Sequence, residues 1–167
     1  IDLVLVMDFG HGLMTERVRD YIQEKAPFMA LNCQTNSNNF GFNIIDRQYQ
    51  RADSFSLDRA EMSLACGRKQ LNYSEELTRL HQKLGASYSW LTLGENATLG
   101  RKGRDESTSC PALENQIIDT IGAGDAFCSV ASLAACSGIS LDEATFIGQL
   151  AGCLLYTSDA ADDVRGV

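Results

Sequence analysis

With 167 residues and 44% hydrophobic content, the chain is sized for one domain and can bury a real core. Its formal charge of -8 at pH 7 argues against nucleic acid and an anionic membrane surface as general partners, so any phosphate has to be held locally. No run reaches the ~20 apolar residues of a membrane span and the first residues lack the basic start of a signal peptide, which predicts a cytoplasmic protein without a membrane partner.

Ile1 to Val6 is rich in β-branched residues and leucine, the composition of a strand buried on both faces of a parallel sheet. A chain that begins inside such a strand is expected to be a fragment. Asp8-Phe-Gly-His-Gly12 follows as a glycine-rich loop, with His11 read as an exposed loop residue. Thr15 caps a predicted helix through Ala26, which Pro27 ends, and Phe28 to Leu31 is the next strand. Strand, helix, strand is a right-handed crossover unit, so the fold class is α/β, a doubly wound and mostly parallel sheet with helices on both faces.

Asn32 to Asn39 is dense in side-chain amides and hydroxyls and sits where such sheets bind ligands. Asp53 to Leu57 reads as a short strand, and Asp58-Arg-Ala-Glu61 then opens a helix with the spacing of a capping box; Gly67 closes that helix. Ser74 to Leu84 forms another, with Leu77, Leu80 and Leu84 inward, Glu75, Glu76, Arg79 and Lys83 outward, and His81 on the surface. Tyr88 to Leu93 is a buried strand that delivers Thr92-Leu-Gly94. Ala97 to Arg101 and Ser107 to Leu113 flank a hairpin turn at Gly103-Arg-Asp105. Arg101, Lys102 and Arg104 are expected near the ligand side, as a solvated tip or as phosphate contacts. The six cysteines form no C-x-x-C pair and read as reduced, packed thiols, and a zinc site is not expected.

Ile117-Ile-Asp-Thr-Ile-Gly-Ala-Gly-Asp-Ala-Phe127 carries the chemistry. Apolar residues end a strand, Gly122 and Gly124 open a tight turn, and Ala126 to Ala135 continues as an uncharged helix. Glycines admit a ligand close to the backbone, and the free N–H groups and dipole of a helix N-terminus favour an anion such as phosphate. Asp125 sits in the first turn, as a dipole-stabilised acid or as a group that acts on the ligand. Phe127 stands where a dinucleotide fingerprint needs glycine, and no Gly-Lys-Ser/Thr ending makes a Walker loop. After a loop at Gly138-Ile, Ser140 caps a helix from Leu141 to Gly152, with Ala144, Ile147, Gly148 and Ala151 packing closely.

Asp119, Thr120, Gly122, Gly124 and Asp125 together resemble the Asp-Thr-x-Gly-Ala-Gly-Asp motif of the ribokinase-like, or PfkB, carbohydrate kinases. The resemblance implies a catalytic base at Asp125, an anion hole at Gly122, Ala123 and Gly124, and a place for Asp119 and Thr120 beside the nucleotide. Asp8 to Gly12 is similar to a loop of the heptose-phosphate kinases, with His11 where lysine is usual. Asp58 and Glu61 resemble an Asn-x-x-Glu motif whose acid organises magnesium and its waters, with Asp in place of Asn. Thr92-Leu-Gly94 is similar to a segment along the nucleotide phosphates, with Ala97 where a second glycine is usual, and Asn32 stands where relatives carry Asn or Asp. The implied activity is transfer of the γ-phosphoryl group of ATP, with Mg2+, to a hydroxyl of a sugar or sugar phosphate. The alternative is a non-catalytic nucleotide-binding subdomain of a larger fused enzyme. The resemblance also leaves room for a monovalent cation, a homodimer and a fused nucleotidyltransferase domain. Residues 1–152 are taken as the C-terminal portion of the kinase domain. From Cys153 the chain resembles translated adapter sequence, and 153–167 is expected to be a non-native or disordered tail.

Overall fold

The computed structural model describes residues 1–35, 41–113 and 122–157. Its six strands lie in chain order in one sheet: β1 (Val4–Asp8), β2 (Met29–Cys33), β3 (Ser54–Asp58), β4 (Tyr88–Thr92), β5 (Ala97–Lys102) and β6 (Glu106–Pro111). β1 to β4 are parallel, and β5 and β6 return antiparallel. Successive right-handed crossovers that add each strand on the same side put the connecting helices on one face. These are α1 (Glu16–Lys25), α2 (Ile45–Gln48), α3 (Arg59–Cys66) and α4 (Tyr73–Lys83), and the chain then passes to the other face for α5 (Ala123–Cys136) and α6 (Leu141–Thr157). The expected mostly parallel sheet with helices on both faces is therefore what forms.

Two apolar clusters fill the two sides. Leu31, Phe55, Leu57 and Leu91 meet Met62, Leu77 and Leu80 on the first face. Tyr88 and Trp90 meet Phe127, Ala131, Ala135, Leu141 and Ala144 on the second. The fully buried Trp90 packs edge-on to Phe127 at 5.9 Å, and its indole N–H donates to Thr145 Oγ1 at 2.9 Å, so a large apolar side chain is buried without an orphaned donor. Small residues let α6 approach α5 closely: a Cβ added at Gly148 would lie 2.8 Å from Ala131 Cβ and 2.9 Å from the Phe127 ring. Among the described residues, no helix is long and apolar enough to cross a membrane.

Helix ends follow the sequence closely. Thr15 accepts from the Val18 N–H, Asp58 and Glu61 form the full reciprocal capping box, Gly67 ends α3 at φ +67°, and Ser140 accepts from Glu143 N–H. Other expectations are corrected. Glu76 and His81 are buried on α4: Arg68 and Arg79 neutralise Glu76, and His81 Nδ1 meets Ser89 Oγ at 2.8 Å on β4. A buried polar side chain survives when such partners replace water, which a count of polar residue types does not register. Asn32 belongs to β2 and not to the loop after it. The cations of the hairpin lie at the far end of the sheet from the ligand side, because Lys102 pairs with Tyr88 at the start of β4 while Thr98 pairs with Thr92 at its end. Lys102 Nζ instead stands 5.0 Å from the centre of the Tyr88 ring. α6 runs Leu141–Thr157, longer than the helix expected from Leu141 to Gly152.

Candidate active site

Parallel strands bring their carboxyl ends to one edge, and the register places Asp8 beside Cys33 and Asp58 beside Thr92 there. α5 starts against the same edge. Its N-cap, Gly122, has φ +81°, a conformation that glycine adopts without strain, and it carries no side-chain cap. Thr15, Asp58 and Asn72 each cap their helices with a side chain, whereas Gly122 offers α5 none. Helix α5 begins at Ala123, three positions before the predicted start, which puts Gly124 and Asp125 inside its first turn.

A cleft of about 530 Å³ opens beside the start of α5. Its walls include Asp58, Thr92, Gly94, Ala123 and Gly124 from the sequence reading, together with Arg59. A Cβ added at Gly124 would meet no atom within 4 Å, so the space beside this backbone belongs to the cleft and not to packed protein. Thr92 Oγ1 donates to Leu57 O at 3.3 Å, and Gly94 turns the chain away at φ +62°. Arg59, which the sequence reading did not single out, is anchored by its guanidinium to Leu93 O at 2.7 Å. Its signal was its place: a cation directly after an N-cap acid, at the carboxyl end of a strand, in an acidic chain.

Asp58 lines this cleft, whereas Asp125 and Glu61 do not. Asp125 Oδ1 accepts a hydrogen bond from the Gln34 side-chain amide. Burial pushes the Asp125 carboxyl up from the usual range, and the Gln34 bond opposes that rise. Glu61 accepts from Thr35 N–H at 3.3 Å through Oε1 and from Asp58 N–H at 2.9 Å through Oε2. Burial first, and then the neighbouring Asp58 charge, push Glu61 up to about 8, with Asp125 adding to the rise. Asp58 itself accepts from Glu61 N–H at 2.8 Å. Among the described residues no three His, Cys, Asp or Glu side chains converge closely enough to hold a metal by themselves.

Asn32 does not line the cleft. It is buried in β2, its amide donates to Ser56 O at 3.1 Å, and its Oδ1 has no partner. Asp119 and Thr120 lie outside the described residues. Gln34 and Thr35 are the site residues the sequence reading passed over within the loop it had noticed; their signal was the polar run after a strand, but which member would touch an acid depends on where β2 ends.

Comparison with known proteins follows this geometry. The model of the pfkB family carbohydrate kinases matches residues 20–164. The chain belongs to the pfkB family. A curated pfkB relative, the bifunctional protein HldE of Koribacter versatilis, is 26% identical over 159 residues, covering 93% of this chain and 32% of that protein. Among solved structures, a probable sugar kinase from Rhizobium etli is 26% identical with a TM-score of 0.56, over 65% of this chain and 32% of the other. Phosphofructokinase-2 of Escherichia coli, in complex with substrates and products, has a TM-score of 0.75 at 13% identity, over 92% of this chain and 50% of its own; it shares the fold. This pfkB chain thus spans between about a third and a half of the length of these relatives.

Proposed function

We propose that the full-length protein transfers the γ-phosphoryl group of ATP to a hydroxyl of a sugar or sugar phosphate. The observation that carries this reading is the placement of Asp125 in the first turn of a helix whose first residues, Ala123 and Gly124, line the cleft. Phosphoryl transfer asks for positioning and charge stabilisation, with a base to take the hydroxyl proton as the oxygen–phosphorus bond forms and ADP leaves with the electron pair. Asp125 is the base in this reading. The amides of Gly122, Ala123 and Gly124 form the anion hole, Thr92 and Gly94 flank the phosphates, and Arg59 adds a local positive charge in an acidic chain.

The residues present fit both implied cofactors. Open space beside Gly124 suits a phosphate laid against backbone. Asp58 and Glu61, already engaged in the capping box, suit an ion that keeps much of its water and takes further ligands from phosphate oxygens, as Mg2+ does. When bound, Mg2+ neutralises charge on the phosphates; the chain's own part is to hold Glu61 through Thr35 and Asp58. The name of the bifunctional relative supports a second catalytic unit, such as a nucleotidyltransferase, in the complete protein.

Steady-state kinetics of full-length Asp125→Asn test the assignment. Asn keeps the size and can hydrogen-bond the hydroxyl but cannot take its proton, so kcat falls roughly 10²- to 10⁴-fold while ATP affinity changes by only a few-fold. Near-normal kcat would return the motif to plain nucleotide binding.

A further inference from the structure

Gln34 reaches Asp125 across 91 positions of sequence and connects the loop after β2 to the first turn of α5. Its own backbone is fixed on both sides. Gln34 N–H donates to Asp8 O at 2.9 Å, and the buried Asn43 side chain donates both to Gln34 O at 3.1 Å and to Asp8 O at 2.9 Å. Asp8 is held in turn, its carboxylate accepting from Tyr49 Oη at 2.7 Å and Gly10 N–H at 2.9 Å. The next residue, Thr35, gives its N–H to Glu61. Two consecutive residues on one anchored strand end therefore hold two of the site's acids, Asp125 through a side chain and Glu61 through the backbone.

From this geometry we infer that Gln34 is a positioning residue for the base: it occupies Oδ1 of Asp125, which leaves Oδ2 to receive the proton of the acceptor hydroxyl. This rests on the reading of Asp125 as the base. A carboxylate free to rotate about its last torsion presents either oxygen in many directions, whereas one oxygen tied to an anchored amide fixes the plane of the other. An amide N–H also stabilises the ionised form, which a base must keep in a half-buried setting. Among the described residues, the titratable groups coupled to Asp125 are Glu61 from α3 and Cys128 one turn along α5, and neither supplies a positive charge. Gln34 is the donor that does this work.

The test uses the full-length enzyme with ATP and a heptose phosphate as acceptor, and compares Gln34→Met, Gln34→Lys and Asp125→Asn. Met removes the donor at similar length, so kcat falls roughly 10- to 100-fold, the cost of a misaimed catalytic group, and the acid limb of the kcat profile moves to higher pH. KM for ATP stays within about two-fold, because the phosphate amides are untouched. Lys keeps an N–H donor and adds positive charge, so it recovers kcat relative to Met and moves the acid limb to lower pH. A carbon-13 titration of the Asp125 carboxyl in the same proteins shows the same order without an acceptor, and it carries the result if the Met variant fails to fold. Should the acid limb and the carboxyl titration stay at their wild-type positions in the Gln34 variants while Asp125→Asn abolishes turnover, Gln34 has no positioning role and the base stands. If Asp125→Asn turns over normally, the base reading falls and the role of Gln34 falls with it.

Discussion

Gly124→Val separates folding from binding at the anion turn. Nothing in the protein lies within 4 Å of a Cβ at this position, and its φ is not in the left-handed region. The substitution therefore meets no steric penalty inside the fold, and exchanging glycine for valine in a helix gains a few tenths of a kcal/mol of propensity. The isopropyl group enters the cleft instead, where the phosphates of ATP are proposed to lie against the Ala123 and Gly124 amides. Losing one charge-assisted hydrogen bond costs roughly 1.5–3 kcal/mol, which is about a 10- to 150-fold weaker Kd, and displacement of a second phosphate contact adds to that. Calorimetric titration with ATP and Mg2+ measures the affinity, and a thermal melt of the apoprotein measures the fold. The expected pair is a Tm unchanged or slightly raised and a Kd weakened by at least tenfold. Unchanged affinity in a folded variant would refute the anion-hole assignment, and a large fall in Tm would refute the claim that this space is empty of protein.

Gly148→Ala has the opposite profile: its methyl meets Ala131 Cβ and the Phe127 ring at under 3.0 Å, so the fold loses roughly 1–3 kcal/mol, read as a lower urea midpoint at constant m-value. Glu61, pushed up to about 8, binds a proton at neutral pH that a nearby Mg2+ must displace, so affinity for Mg2+ with ATP rises as pH goes from 6.5 toward 8. In Glu61→Gln that dependence is lost and more magnesium is needed for the same rate, whereas an unshifted magnesium curve would assign Glu61 to the helix cap alone. His81 is held below its ordinary value of 6.5 by burial first and by Arg101 second. The unfolded chain then binds the extra proton, so stability is full above pH 6.5 and declines as pH falls below it. Urea midpoints between pH 5 and 7 should show this slope, reduced in His81→Gln.

The elements near the site were readable where local chemistry decides them. Asp58 with Glu61, Thr15 and Gly67 mark helix ends through bonds three or four residues long, and Gly122 marks a turn by a positive φ that a Cβ would strain. What escaped depended on partners distant in sequence. Glu76 is a core residue only because Arg68 and Arg79 fold over it, and Gln34 becomes part of the site only because α5 returns to the carboxyl edge of β2. Asn32 was misplaced by a different cause. Its polar side chain suggests a loop, yet with Ser54 and Ser56 it belongs to a polar strip under α5, where Ser54 bonds Ser132 at 3.0 Å. The hairpin cations were legible in principle: β5 starts at the ligand edge and runs away from it, so its far tip had to lie at the other end.

The close approach of α6 to α5 has a mechanical consequence. Gly148 sits under Phe127 and Ala131, and one turn later a Cβ at Gly152 would stand 3.3 Å from the Ala123 carbonyl at the very start of α5. At these two glycines α6 has no side chain of its own, so the first turns of α5, which carry the proposed base, rest directly on its backbone. In the role proposed for Asp125, its aim then depends on how α6 seats against α5. A slight wedge between the helices would tilt the carboxylate off target while leaving every residue of the motif in place.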